Sequence, residues 1–355
     1  EYGVVGFGAT TARKNLCNML IDTHSHIYDE AFDEDRAEVV ERARAEGVER
    51  IILPAVDSES NERLFDLCRA CGDYAVPLMG LHPTSVNDNP RWREELAEVE
   101  RLLAEPPQGI ERFYGVGEIG LDLYWSRDWQ AEQTEAFRSQ LDMALKYDLP
   151  IVVHTRDAWE EMAAIVEEYR GRGLRGIFHA FSSDVAMYER LRLAGDFVFG
   201  IGGVVTFKKS ALAEVVKAMR LEDLVIETDS PYLTPAPHRG SRNESSYVRF
   251  VAQKIAELKG VDYEVELNRT KDKVVIIKNN DYYYSEYPNL AWFAEMLART
   301  DDSERALIIW SKMHPIAKAQ TGIDADRLKE VIKSIIEDDD LYNIIDDNTK
   351  TINPS

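Results

Sequence analysis

The chain has 355 residues, 45% of them hydrophobic, which is enough for one large globular domain or for a large and a small one. Its formal net charge of -22 works against charge-driven adhesion to DNA or anionic lipid, although bound cations can reverse the sign inside a cleft. No apolar run approaches the roughly 18 residues that span a bilayer, and three cysteines without a disulfide framework indicate a reducing compartment. These features predict a cytoplasmic protein with no membrane segment.

The first eighteen residues precede Met19, which looks like a natural start. They lack the basic segment and apolar core of a signal peptide. Their glycines are spaced G-x-x-G-x-G, which is not the order of a dinucleotide-binding loop. We therefore interpret residues 1–18 as an N-terminal extension that lies outside the fold.

From Met19 onward, short apolar runs alternate with helical patterns. Segments such as Arg36–Glu46 and Thr134–Tyr147 place apolar residues on one helical face. Continuous apolar strands between helices indicate a parallel sheet covered on both faces. Eight such units predict a (β/α)8 TIM barrel over residues 19–265, with a doubly wound open sheet as the alternative. The runs are MLIDTH, RIILPAV, VPLMGLH, FYGVGEIGLD, PIVVHT, GIFHAF, FVFGIGG and LVIETD.

The chain changes character near residue 262. Residues 324–340 show the apolar stripe of an amphipathic helix, and other helical patterns precede them. We predict that residues 266–355 form a smaller α-rich C-terminal appendage, for which the sequence indicates no chemistry. Its tyrosine cluster at residues 282–287 is either an interaction surface or a satellite core.

Metal-competent side chains stand at the carboxyl ends of the predicted strands. His24 and His26 lie two residues apart at the end of the first run, so both can face the same side. Five of the seven histidines fall at strand ends, counting His82 after the third run. Because barrel enzymes have their sites at this end, the pattern predicts a metal site, with buried core histidines as the alternative. The other such residues are Glu118, His154, His179 and Asp229.

These residues belong to a series of seven motifs: IDTHSH, GLHP, VGEIGLD, VVHTRDA, FHAFS, ETDSPYL and PHRGSRNE. In these motifs and in their order, the sequence resembles the TatD family of metal-dependent deoxyribonucleases, which are amidohydrolase-like barrels. The resemblance covers residues 19–265 and does not extend into the C-terminal region. Two departures are Ser245, where the family usually has proline, and the segment after GVDYE, where the likeness stops.

The resemblance implies two divalent metal ions that share Glu118 as a bridge. Mg²⁺ is the expected ion, with Mn²⁺ or Zn²⁺ as alternatives. Related barrels often bridge their metals with a carboxylated lysine, and the fourth strand offers Glu118 and no lysine. One ion would be bound by His24, His26, Glu118 and Asp229. The other would be bound by Glu118, His154 and His179.

The implied reaction is hydrolysis of a phosphodiester, with single-stranded or frayed DNA ends as substrate and attack from the 3′ end. Asp229 is the candidate to orient the attacking water and to accept its proton. The sequence Asp-Ser-Pro is also typical of a helix cap, and the two roles are compatible. No stable protein partner is evident.

Three further residues are candidate substrate contacts. Arg156 lies two residues beyond His154 and either binds a phosphate or forms a surface salt bridge. Arg239 lies in the loop after the last strand, where barrels commonly bind phosphate. His82 either lines the substrate pocket or makes a structural hydrogen bond. The aromatic side chains after the fourth strand either stack on a base or pack the next helix; they are Tyr124, Trp125 and Trp129.

Two other functions remain open from the sequence. Metal-activated water does not distinguish phosphorus from carbon, so the chain could hydrolyse another ester or an amide, including D-aminoacyl-tRNA. Alternatively, the barrel could be a non-catalytic scaffold for the C-terminal region. The complete set of six candidate ligands argues against the scaffold.

Overall fold

The computed structural model describes residues 20–261, and the predictions for residues 1–18 and 266–355 lie outside this range. Within it, eight strands alternate with eight helices. None of the helices in this part of the chain is long and apolar enough to cross a bilayer. The strands are β1 (Leu20–Asp22), β2 (Val48–Leu53), β3 (Ala75–Pro77), β4 (Val116–Asp122), β5 (Ile151–Arg156), β6 (Arg175–Phe178), β7 (Asp196–Ile201) and β8 (Leu224–Ile226). The helices are α1 (Arg36–Ala45), α2 (Asn61–Cys71), α3 (Trp92–Ala104), α4 (Gln130–Lys146), α5 (Trp159–Glu168), α6 (Val185–Arg192), α7 (Leu212–Ala218) and α8 (Val248–Lys259).

All strand pairs are parallel, in the orders β1-β2-β3 and β4-β5-β6-β7-β8. Isolated parallel bridges join the two groups at both seams. Met79 pairs with Val116 at one seam, and Ser25 pairs with Ser230 at the other. The eight strands therefore close into a barrel, which confirms the predicted fold and excludes the open sheet.

The helices cover the barrel with the apolar faces that the sequence predicts. In α4 the buried residues recur every three or four positions, and Phe137 and Leu141 are fully buried. Full burial of such a side chain contributes roughly 1.5–3 kcal/mol. The helix begins at Gln130, four residues before the predicted start, because its first turn also contributes the buried side chain of Gln133.

Several strands end earlier than the apolar runs suggest. β1 ends two residues before His24, β3 five residues before His82, and β8 three residues before Asp229. The chain remains pinned there by single contacts, such as the hydrogen bond from the amide of Asp229 to the carbonyl of His24 at 2.9 Å. Of the six candidate metal ligands, only Glu118 and His154 lie inside strands. The other four lie just beyond the strands, at the end of the barrel that we call the mouth.

Candidate metal centre

Glu118 lies in the middle of β4 with its side chain 3% exposed. Two residues later, Gly120 has a φ of +142°, and a Cβ there would lie 2.0 Å from the carbonyl oxygen of His154. Glycine is required at this position because any side chain would push β4 away from β5. The VGEIGLD motif therefore lets the two strands approach closely, and it places Glu118 beside His154.

One oxygen of Glu118 faces the two histidines that follow β1. Oε2 lies 3.2 Å from Nε2 of His24 and 3.5 Å from Nε2 of His26. These two nitrogens are 3.1 Å apart. Oδ1 of Asp229 lies 3.8 Å from the first nitrogen and 3.6 Å from the second. The four donor atoms surround one point at separations that suit ligands about 2.0–2.2 Å from a cation.

The other oxygen of Glu118 faces a second group of histidines. Oε1 lies 2.9 Å from Nδ1 of His154 and 2.7 Å from Nε2 of His179. The two nitrogens are 3.2 Å apart. A carboxylate with one oxygen directed at each group has the geometry of a bridge between two cations. All six residues that the resemblance implies as ligands therefore lie together.

Hydrogen bonds on the far side of the rings determine which nitrogens are free to bind a cation. The hydroxyl of Tyr28 donates to the carbonyl of Pro54 at 2.6 Å. Its oxygen lies 3.1 Å from Nδ1 of His26, so it accepts the proton of that nitrogen. Nε2 of His26, which faces Glu118, is then unprotonated. A ligand histidine requires such a lone pair.

Asp122 orients His154 in a similar way. Its Oδ2 lies 3.0 Å from Nε2 of His154, on the side of the ring opposite to Glu118. A carboxylate only accepts, so Nε2 carries the proton and Nδ1 presents its lone pair to the centre. Such carboxylate–histidine pairs fix the ring and raise the basicity of the ligand nitrogen.

His82 also reaches the centre but presents a proton. Its Nδ1 accepts from the backbone N–H of Thr84 at 3.2 Å, so the neutral ring carries its proton on Nε2. That nitrogen lies 3.5 Å from Oε1 of Glu118. Gln140 holds the loop in place through both backbone groups of Leu81. His82 is thus arranged as a hydrogen-bond donor at the edge of the centre.

A second buried carboxylate, Glu227, lies behind the histidine rings. Its Oε1 accepts from the amide of Ala180 at 2.6 Å and lies 3.8 Å from Nδ1 of His179. Nδ1 of His24, Nδ1 of His179 and Oε2 of Glu227 are all buried without a hydrogen-bond partner in the described part of the chain. Burial raises the pKa of Glu227 to about 8.

The electrostatics of the cluster favour positive charge at its centre. Burial acts to raise the pKa of Glu118, but the surrounding histidines lower it well below its usual range. Burial lowers the pKa of His24 and raises the pKa of Asp229. Burial acts to lower the pKa of His179, yet the Glu118 carboxylate raises it to about 10. Such a set of carboxylates is balanced either by protons or by bound cations, and its nitrogen and oxygen donors suit divalent metals.

The sequence profile described as TatD related DNase matches residues 21–275, which is more than two thirds of the chain. The chain belongs to the TatD family. This confirms the resemblance drawn from the motifs. With the clusters of donor atoms at the mouth, it makes the protein a metal-dependent hydrolase.

Several proteins are similar to this chain over the barrel. An uncharacterized metal-dependent hydrolase of Bacillus subtilis, YabD, is 40% identical over 247 residues, which are 69% of this chain and 93% of that protein. The 3'-5' ssDNA/RNA exonuclease TatD of Erwinia tasmaniensis is 29% identical over 237 residues, 65% of this chain and 88% of that protein. The crystal structure of YJJV, a TatD homolog from Escherichia coli K12, superposes with a TM-score of 0.64 at 28% identity. It covers 71% of this chain and 94% of that one.

In this TatD barrel, two arginines at the mouth lie on aromatic rings instead of carboxylates. The guanidinium carbon of Arg156 lies 3.6 Å from the centroid of the Tyr124 ring, and that of Arg239 lies 3.9 Å from the Phe207 ring. Within residues 20–261 neither forms an ion pair with a carboxylate, which removes the surface salt bridge as the role of Arg156. Arg239 lines a cavity of about 550 Å³ beside the loop after β7. The other residues that line this cavity are Val204, Thr206, Phe207, Lys208, Lys209, Ser210 and Ala236.

Sequence reasoning missed three polar residues that support the TatD site. Tyr28 and Asp122 each follow a mouth residue of their own segment by an even number of positions, so the alternation of a strand could have found them. For Glu227 the sequence offers a weaker indication, which is the glycine at position 200. Gly200 in the neighbouring strand β7 leaves room for the Glu227 side chain, since a Cβ there would lie 2.0 Å from Oε2 of Glu227.

Proposed function

We propose that this TatD barrel is a divalent-metal-dependent nuclease that removes nucleotides from the 3′ ends of single-stranded DNA. The observation that carries the proposal is the division of the ligands between the two oxygens of Glu118. Two cations a few ångströms apart suit the in-line displacement of a phosphodiester. A relative is named as a 3'-5' ssDNA/RNA exonuclease, which supports this substrate class. The acidic chain disfavours broad contact with a duplex.

We propose two ions, bound as the resemblance implies. His24, His26 and Asp229 would share one ion with Oε2 of Glu118. His154 and His179 would share the other with Oε1. Mg²⁺ remains the first ion to test. Zn²⁺ and Mn²⁺ belong in the same experiment because imidazole suits Zn²⁺ and carboxylate suits Mn²⁺, and the six candidate ligands include both groups.

The protein's own residues would divide the work as follows. When bound, the cations supply Lewis-acid polarisation of a phosphoryl oxygen and acidify water. Asp229 directs Oδ1 into the centre with its side chain 15% exposed, and it would orient the attacking water and accept its proton. Glu118 stays ionised and contributes negative charge to both ligand groups. Burial of the cluster excludes bulk water and strengthens each electrostatic contact.

Three residues at the rim would bind the phosphate backbone. His82 directs its Nε2 proton at the centre and can donate to a phosphate oxygen. In the described part of the chain, Arg156 and Arg239 lie on aromatic rings and pair with no carboxylate, and a guanidinium can bind a phosphate through two parallel hydrogen bonds. Because Arg156 is the last residue of β5 and Arg239 follows β8, the two arginines would contact different phosphates of the substrate.

The test is a nuclease assay on 5′-labelled single-stranded DNA with Mg²⁺, Mn²⁺ or Zn²⁺, with and without a chelator. We expect stepwise shortening from the 3′ end that the chelator and Glu118→Ala both abolish. Metal analysis should give two ions per wild-type chain and fewer in the variant. Glu168→Ala, at the exposed end of α5, is the matched control and should retain full activity.

Two results would contradict the proposal. Shortening of DNA that survives both the chelator and Glu118→Ala would separate the activity from this centre. Metal-dependent cleavage of D-aminoacyl-tRNA by a chain that leaves DNA intact would show that the centre hydrolyses carboxylic esters and not phosphodiesters.

The cellular location is proposed on a smaller observation. Cys68 and Cys71 are free thiols within α2, although only a few residues separate them. Free thiols accord with a reducing compartment such as the cytoplasm.

A further inference from the structure

Large apolar side chains are exposed mainly at the mouth. Trp125 is 71% exposed and Tyr124 is 50% exposed. Of the six most exposed large hydrophobic side chains in residues 20–261, four follow β4 or β8. An isolated exposed aromatic residue needs no explanation, but a group of them beside a candidate centre indicates a binding surface.

The two aromatic rings after β4, Tyr124 and Trp125, meet edge to face, and we call this pair the platform. Their centroids are 4.9 Å apart with an interplanar angle of 85°. Arg156 covers the Tyr124 ring at 3.6 Å and lies 5.6 Å from the Trp125 centroid. The indole is left open to solvent. Trp129, the third aromatic of this loop, is only partly exposed and lies directly before α4, so the packing alternative fits it better.

The platform is joined to the metal centre through short segments. The amide of Tyr124 donates to Oδ1 of Asp122 at 3.1 Å, and the other oxygen of Asp122 orients His154. Arg156 lies two residues beyond His154 on the same strand. Arg156 is thus two residues from a candidate ligand, and Tyr124 is two residues from the carboxylate that orients this ligand, so the rings and the guanidinium stand at the edge of the Oε1 side of Glu118.

We propose that the open face of the Trp125 indole stacks on the base of the 3′-terminal nucleotide, that Tyr124 supports the indole edge to face, and that Arg156 binds a phosphate next to it. This rests on the proposed nuclease function and adds the part of the site that selects unpaired ends. A base inside a duplex is already stacked on both faces and cannot stack on the exposed face of the indole. Stacking on an aromatic ring is tolerant of base identity, so the platform selects for the presence of a base.

The opposite side of the mouth has the complementary chemistry. The cavity beside Arg239 is lined by two exposed lysines, Lys208 and Lys209. Cationic side chains bind the backbone of a strand without regard to sequence. A single strand would therefore extend from the platform at β4 and β5 towards the cationic cavity at β7 and β8.

The test compares two oligonucleotides of the same length that differ only in the last nucleotide. One DNA strand ends in deoxyadenosine, and the other ends in an abasic tetrahydrofuran residue. For the full wild-type chain we expect kcat/KM for removal of the last nucleotide to be roughly tenfold to a hundredfold higher with the base. Trp125→Ala should reduce that ratio to near one. Trp125→Phe should retain much of the preference.

Leu193→Ala is the matched control, because Leu193 is 63% exposed at the end of α6, away from the mouth. It should keep the wild-type ratio. Equal rates on both oligonucleotides for the wild type, or an unchanged ratio in Trp125→Ala, would overturn the platform while the nuclease proposal stands.

Binding without turnover separates the two proposals. An oligonucleotide with a 3′-terminal 2-aminopurine is titrated with the chain in the presence of a chelator. Quenching that depends on Trp125, together with no hydrolysis of DNA when Mg²⁺, Mn²⁺ or Zn²⁺ is supplied in place of the chelator, would support the platform and overturn the nuclease. Absence of quenching and of a base preference would overturn the platform.

Discussion

The mouth and the outer helices of this barrel contain the same types of charged residue, but these residues have different partners in the two regions. On the outside, arginines pair with carboxylates of neighbouring helices. Arg93 of α3 pairs with Glu135 of α4 at 2.7 Å, and Arg190 of α6 pairs with Glu167 of α5 at 2.8 Å. At the mouth, Arg156 lies on an aromatic ring and the carboxylates face histidines.

This difference shows where the chain can bind a ligand. A paired exposed arginine has little to offer a phosphate, and the pair contributes about 0–1 kcal/mol to stability. An arginine on an aromatic ring retains its hydrogen-bond donors. The buried carboxylates at the mouth are costly in free energy unless positive charge balances them. The mouth, and not the outer helices, therefore has the groups that are available to a ligand.

The largest effect should come from His154→Ala, which removes a candidate ligand and leaves the barrel core intact. We expect kcat/KM on single-stranded DNA to fall on the order of a thousandfold. The metal content should also fall, and the midpoint of urea unfolding measured with a chelator should stay close to that of the wild type. Retained activity would show that the Oε1 side of Glu118 binds no required cation, and the contrast between the two regions would lose its basis.

A smaller loss is expected from Asp122→Asn, which keeps the shape of the side chain and removes its charge. The asparagine can still accept from Nε2 of His154, but it orients and polarises the ring less. Loss of such a partner typically reduces metal affinity or activity by about tenfold to a hundredfold. Titration of the chelator-treated protein with Mn²⁺ would measure the affinity directly. An affinity equal to that of the wild type would remove Asp122 from the site.

Arg156→Ala should act on substrate and not on metal. Hydrogen bonds to charged groups contribute roughly 1.5–3 kcal/mol, so we expect KM for DNA to rise about tenfold to a hundredfold. The metal content should not change. Arg156→Lys should recover only part of the loss, because lysine keeps the charge but not the planar stack on Tyr124. A normal KM in Arg156→Ala would place this arginine with the outer ones.

The smallest effect is expected on the outside. Arg190→Ala breaks contacts to Glu167 and Glu160, yet it should lower the free energy of unfolding by less than about 1 kcal/mol. Urea unfolding measures this, and kcat/KM should equal that of the wild type. A loss of activity in this variant would mean that the outer ion pairs also support the mouth.

The sequence was sufficient for the barrel and for the residues that meet at its mouth. Apolar runs alternating with helical patterns predicted eight parallel strands, because buried strands and amphipathic helices leave different periods in a sequence. Closure of the sheet then brings all carboxyl ends to one place, so His24, Glu118 and Asp229 could be expected together although up to about two hundred positions separate them.

Only the tertiary structure decided how the meeting residues divide the chemistry. Alternation along a strand assigns a side chain to a face, but a hydrogen bond requires two heavy atoms within about 3.2 Å in a suitable direction. The pairing of each Glu118 oxygen with its own histidines depends on such distances. So do the donor role of His82 and the support from Asp122. These contacts join segments whose spacing is set by strand register and ring orientation, and neither leaves a periodic signal in the sequence.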